Sequence, residues 1–180
     1  MSALAPAVHS VHFYESHSVL IDRLCGIVSS GLRVGNSILI VATSEHRVQL
    51  VSDLREMGVD VREAARDGRF MMFDARGTLD TFMVNGLPDR DLFYQNVGHL
   101  LLEAKKKAVS KDQGLTVYGE MVAVLWDEGN KEGALALERL WNEALNERAF
   151  HLHCAYPRWI FNEDAEMSAI CDTHSHVLAA

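Results

Sequence analysis

The sequence predicts an α/β protein: a three-layer sandwich with helices on both faces of a mostly parallel sheet. Three observations lead there. Short β-branched and aromatic runs alternate with helical patterns of about a dozen residues, as in successive right-handed βαβ units. One run, "SILIVAT" at 37–43, is apolar at consecutive positions, as a strand covered on both faces must be. The chain has 180 residues, enough to bury the core of one ordinary domain.

The elements follow in order. "SVHFY" at 10–14 is a short strand. A helix follows from about Ser18, with Leu20, Leu24, Ile27 and Val28 on one face; Gly31 or Gly35 suits the position beyond its end. Residues 37–43 form the second strand. Ser44 can cap the next helix, which carries Val48, Val51 and Leu54 and ends at Gly58. "VDVREAARDGRFMMFDA" reads as a short strand, a turn at Asp67-Gly68, and a longer strand over 69–75. Residues 78–112 read as two helices broken at "NGLPDR", where Gly86 and Pro88 interrupt the pattern. "LTVYG" at 115–119 is a buried strand. Residues 120–128 can extend it or turn into a helix, and periodicity does not decide. Asn130 can cap a helix with the stripe Leu137, Leu140, Trp141, Ala144 and Leu145. "FHLHCAYP" at 150–157 is a strand ended by proline. A last helix over 164–174 places Met167, Ile170, Cys171 and His174 on one stripe. No repeat, low-complexity segment or linker interrupts this series. One domain is therefore expected over 9–178, with a flexible N-terminus at 1–8.

Bulk properties exclude several classes. The longest apolar runs are too short to span a bilayer, and the first residues lack the basic start of a signal peptide. A cytoplasmic protein with no membrane partner is expected. The net charge of −8, from 17 basic and 25 acidic residues, repels phosphate backbones, so direct nucleic-acid binding is not expected. The one basic run, "KKKAVSK" at 105–111, suits a solvated helix end. Cys25, Cys154 and Cys171 form no CxxC pair and sit in apolar stretches, as buried free thiols do in a reducing compartment.

Ligands of open parallel sheets bind beyond the carboxyl ends of the strands. There the sequence delivers Tyr14 and Glu15, Thr43 and Ser44, Asp74, Tyr118 and Glu120 with Trp126, and Tyr156 with Arg158 and Trp159 nearby. This aromatic and acidic set suits an apolar or weakly cationic ligand held by ring contact. It does not suit nucleotide hydrolysis. A phosphate loop needs glycines and a lysine, and "YESHS" has neither. His151 and His153 alternate on one strand face, a metal half-site at most, and no spacing matches a zinc signature. His174, on an apolar stripe, reads as a core histidine. No nucleophile with a base in reach emerges, and neither a catalytic residue, a metal nor a cofactor is expected.

Taken together, "HSVHFYES", "GLRVGNSILIVAT", "PDRDLF", "YGEMVAVLWDEGN", "ALERLWNE" and "HCAYP" occur in an order that resembles the MEDS family, the methanogen/methylotroph, DcmR sensory domain, over about residues 9–178. The resemblance implies a relative of the RecA/KaiC-like ATPase core that lacks a phosphate-binding loop. It implies a sensory role toward small hydrocarbon derivatives. The family-pattern positions here are His12, Tyr14, Glu15, Glu120, Met121, Trp126, Cys154, Tyr156 and Pro157. Of these, His12, Tyr14, Glu15, Glu120, Trp126 and Tyr156 are expected to bind the ligand. Family members also occur joined to DNA-binding and histidine-kinase modules. No such module is recognisable here, so output is expected through a protein partner, a kinase or regulator. Two other readings stay open: a ligand-free interaction module for a kinase or anti-sigma-type partner, and a metal or redox sensor using histidine and cysteine.

Overall fold

The computed structural model describes residues 7–109 and 114–178. In chain order, β1 (Val8–Tyr14) leads into α1 (His17–Arg33). β2 (Ser37–Ala42) leads into α2 (Ser44–Glu56) and α3 (Val61–Arg66). β3 (Phe70–Asp74) is followed by α4 (Ala75–Leu79), a hairpin of β4 (Met83–Val84) and β5 (Leu87–Pro88), and α5 (Arg90–Phe93). A π-helical turn (Tyr94–Gly98) then joins α6 (His99–Lys106). β6 (Leu115–Gly119) feeds α7 (Met121–Asp127) and α8 (Lys131–Glu147). β7 (His151–Pro157) feeds a 3-10 turn (Arg158–Ile160) and α9 (Asp164–Cys171), and β8 (His176–Leu178) follows.

Six of these strands form one sheet in the order β3-β2-β6-β7-β1-β8, and every neighbouring pair is parallel. The path moves toward one edge from β1 to β3 and back toward the other from β3 to β8. Right-handed crossovers then put the early helices on one face and the later ones on the other. The two cores show this division. Leu20, Leu24 and Val28 of α1 and Leu50 and Leu54 of α2 pack with Ile38, Ile40 and Tyr118 on the first face. Phe93, Leu137 and Trp141 pack with Val11, Leu39, Val117 and Leu152 on the second. β2 alternates between the two cores, which is why its apolar run is continuous. The three-layer architecture expected from the sequence is present.

Several local expectations need correction. α1 starts at His17, with Ser16 as its cap accepting the Val19 N–H (3.4 Å). Thr43, not Ser44, occupies the cap position of α2. Residues 59–61 do not form a strand: the Asp60 side chain accepts the Arg62 N–H (2.9 Å) and starts α3, whose "VREAAR" is rich in helix formers. The first helix expected after residue 78 is only the short α4. Asn85 and Gly86 both adopt positive φ (51° and 83°), the geometry of a tight hairpin turn. The Asn-Gly pair therefore folds the chain back instead of breaking a helix. Residues 121–127 are helical. The last helix stops at Cys171 rather than 174, and residues 176–178 pair with β1 as an edge strand. Lys111, the end of the helix expected to 112, and residues 1–6 of the expected N-terminal tail lie outside the described residues. Among the described residues, no helix is long and apolar enough to cross a membrane.

Candidate functional site

α2 leaves the neighbouring strand β2 toward one face of the sheet, while α7 leaves β6 toward the other. That divergence opens a crevice at the carboxyl ends of the strands, where open α/β sheets bind ligands. A cleft of about 250 Å³ occupies it. Its walls include Tyr14 from β1, His17 from α1, Glu45 and His46 from α2, Glu120 and Asp127 flanking α7, and Trp159 from the 3-10 turn. A wider depression of about 540 Å³ lies at the opposite end of the sheet, lined by Arg33, Asp60, Glu63 and Arg69. It is an open charged surface with no aromatic wall.

Glu120 organises the cleft floor. Its N–H donates to Val41 O (2.9 Å), and its carboxylate accepts the Thr43 N–H at Oε2 (2.8 Å). The carboxylate also accepts the Tyr118 hydroxyl (2.8 Å) and His46 Nδ1 (2.6 Å), both at Oε1. One buried side chain thus bridges β2, α2 and β6. Thr43 gives its amide to this bridge, and its hydroxyl makes no cap hydrogen bond. His46 Nε2 in turn lies 2.6 Å from His17 Nδ1, so a hydrogen-bonded line runs from the buried carboxylate to the half-open rim.

The rings form a partial box. Tyr14 meets Trp159 edge-on at 5.5 Å between centroids, His17 lies 5.4 Å from Trp159, and His17 and His46 are 4.9 Å apart. Trp159 is 55% exposed although it is among the largest side chains in the protein, so the box opens to solvent. The electrostatics are anionic. Burial, then the charges of Glu120, Asp127 and Glu45, push the Tyr14 hydroxyl well above its ordinary pKa, so it stays a neutral donor. Burial works against the charged form of His46, but the hydrogen bond and charge of Glu120, with Glu45 adding to them, raise its pKa overall. Rings with acidic groups behind them attract apolar and weakly cationic molecules and repel phosphates.

The family assignment rests on a wider match than this cleft. The model of the methanogen/methylotroph, DcmR sensory domain matches residues 8–175. The chain belongs to the MEDS family. This MEDS chain is also similar in fold to a crystal structure of the uncharacterized protein PH0321 from Pyrococcus horikoshii, solved in complex with an unknown peptide. The TM-score is 0.66 at 16% identity, covering 93% of this chain and 74% of that one. No curated protein matches the sequence.

Of the ligand residues expected in this MEDS domain, the structure brings Tyr14 and Glu120 together at the cleft. Glu15 sits outside it, 73% exposed and 3.8 Å from Arg158. His12, Trp126 and Tyr156 are placed elsewhere, for reasons of strand parity and helix phase. His12 shares the face of Tyr14 but lies two residues deeper, against Leu20, Leu24 and Arg23 of α1. Burial and the Arg23 charge lower its pKa to about 4, so it stays neutral. Tyr156 opposes Phe13 and therefore faces the other core, where its hydroxyl donates to Glu138 (2.7 Å). Trp126 packs there too, 5.3 Å from Phe161 and 6.5 Å from Tyr156. Asp74 accepts the Gly77 N–H at the start of α4 and pairs with Arg47. His153 hydrogen-bonds Ser10 (2.6 Å) on the α1 face. The sequence reading missed His17, Glu45, His46 and Asp127. The first three share one signal: they fall in the first turn of a helix that directly follows a strand, where side chains overhang the strand ends.

Proposed function

We propose that this MEDS domain is a non-catalytic sensor that binds a small, mostly apolar metabolite of the hydrocarbon-derivative class in the strand-end cleft. Binding is read by a protein partner, a kinase or regulator. The observation that carries the reading is the ring-walled crevice of about 250 Å³ closed underneath by Glu120. That volume is below the range of drug-sized sites, about 300–1,000 Å³. At a ceiling of about 1.5 kcal/mol per heavy atom, six heavy atoms reach about 9 kcal/mol, enough for micromolar sensing, whereas three atoms reach only millimolar. Glu45, Glu120 and Asp127 line the cleft, and their charge would repel a triphosphate, which supports sensing over ATP hydrolysis.

A thermal-shift panel of haloalkanes, alkanols and methylamines against wild type and Trp159→Ala tests this. At least one compound should stabilise the wild type, and its affinity should fall about tenfold in the variant through loss of one aromatic contact. Equal shifts in both proteins refute the cleft. A second reading draws on the Pyrococcus horikoshii neighbour, which was crystallised with an unknown peptide: the ligand would be a peptide segment. A silent small-molecule panel together with a stoichiometric peptide in the purified protein would favour it.

A further inference from the structure

On the second face of the sheet, away from the cleft, four metal-ligating side chains converge in the core. They are His9 of β1, Glu138 of α8, Cys154 of β7, and His174 just after α9, and their donor atoms all lie within 4.8 Å of one another. All four side chains are essentially sealed from solvent. We propose that they form a tetrahedral site for one divalent transition-metal ion, zinc by donor type.

The distances fit. Zinc–nitrogen and zinc–oxygen bonds of about 2.0–2.2 Å and a zinc–sulfur bond of about 2.3 Å place tetrahedral donors roughly 3.3–3.8 Å apart. Here His9 Nε2 is 3.3 Å from Glu138 Oε2 and 3.4 Å from Cys154 Sγ. His174 Nε2 is 3.5 Å from Glu138 Oε1, and Cys154 Sγ is 3.9 Å from Glu138 Oε2.

The outer hydrogen bonds aim the donors inward. Asn142 Nδ2 donates to Thr173 O (2.8 Å), which turns its Oδ1 toward His9 Nδ1 (2.9 Å). Nδ1 must then carry the proton, leaving the Nε2 lone pair on the cluster side. His174 Nδ1 meets Ile170 O (2.8 Å) with the same result, and its buried Nε2 makes no hydrogen bond. The Tyr156 hydroxyl holds Glu138 Oε1. A fixed tautomer on each histidine and a hydrogen-bonded carboxylate are the outer shell that metal ligands carry.

Charge supports the same occupant. The His9 and His174 ring centroids are 3.9 Å apart, so a buried ion between them needs its charge balanced. A divalent ion with two neutral imidazoles, one carboxylate and one thiolate sums to zero. All four positions come from the protein, so the site is closed and joins β1, β7, α8 and the segment after α9.

Untagged protein should contain about one equivalent of zinc. After chelation and reloading, cobalt(II) should give tetrahedral d–d bands and a thiolate-to-cobalt charge-transfer band. Cys154→Ser should lose the charge-transfer band while keeping the d–d bands. Asn142→Ala, which only positions His9, should weaken metal affinity about 10–100-fold while circular dichroism stays unchanged. If Cys154→Ser fails to fold, the wild-type cobalt spectrum still decides. Less than about a tenth of an equivalent of metal in folded wild type, with no cobalt spectrum after reloading, overturns the proposal. So does a cobalt spectrum unchanged by Cys154→Ser.

Discussion

Replacing Glu120 with Gln keeps the shape of the cleft floor and removes its charge. The carboxylate accepts three hydrogen bonds, from Thr43 N–H, Tyr118 and His46 Nδ1. A Gln carbonyl oxygen can face either the Thr43 side or the His46 side. Its NH₂ group then meets a donor on the other. One charge-assisted bond, worth about 1.5–3 kcal/mol, is lost and a buried donor is left without an acceptor, so the cost should be about 3 kcal/mol. At about 2–4 °C per kcal/mol for a chain of this size, the melting midpoint should fall by about 6–12 °C. The cost should also depend on pH. Because the His46 pKa is raised in the folded state, its protonation stabilises the protein. That contribution is fully present below the unfolded value near 6.5 and is lost as pH rises through the folded value. The gap between wild type and Glu120→Gln should therefore be widest near pH 6 and shrink to roughly 1–2 kcal/mol near pH 9, where His46 is neutral and its ion pair with Glu120 is gone. Paired calorimetric scans across that range read it directly, because the titration of all other groups cancels between the two proteins. A gap that stays constant with pH would refute the His46–Glu120 coupling.

Other expectations concern the frame around the cleft. Leu137→Ala, at a fully buried position of α8, should cost about 2–5 kcal/mol by chemical denaturation; a loss below about 1 kcal/mol would contradict the packing. Asn130 accepts the Gly133 N–H (2.9 Å) and donates to Gly86 O (2.7 Å). Asn130→Ala should cost about 1–2 kcal/mol, read as a midpoint shift, because it uncaps α8 and frees the β4–β5 hairpin together. The His12 ring, with its pKa lowered to about 4, should show no NMR titration between about pH 5 and 8. Since the unfolded ring protonates near 6.5, His12 should withdraw stability as pH falls below that value.

Much of the fold was legible because the signals were dense. The unbroken β2 run announced a strand covered twice, and the α8 stripe and its Asn130 cap appear as read. The failures were local contests. Asp60 as a cap overrode the β-branched residues at 59 and 61, and the Asn85-Gly86 pair made a turn between strands of only two residues. The site was half legible. Which residues end each strand follows from sequence, and so Tyr14 and Glu120 were expected at the strand ends where they line the cleft. Which face each residue takes at the cleft depends on inter-strand register. Tyr14 lies beside Pro157 and Phe13 beside Tyr156, a parity no single strand reveals, and it sends Tyr156 to the opposite core. The buried donor cluster was invisible for the same reason: its four members are spread from residue 9 to residue 174. The sequence reading centred a possible metal site on His151 and His153, with His12 or His174 as a third ligand, and did not bring His9 or Glu138 into it.

The Glu120 bridge has a mechanical consequence. It ties the start of α2, on one helical layer, to the start of α7, on the other, through a single side chain. A guest that competes for the Thr43 amide or the His46 ring would loosen that tie between the two layers. A molecule of a few atoms could thereby be felt on outer surfaces that it never touches.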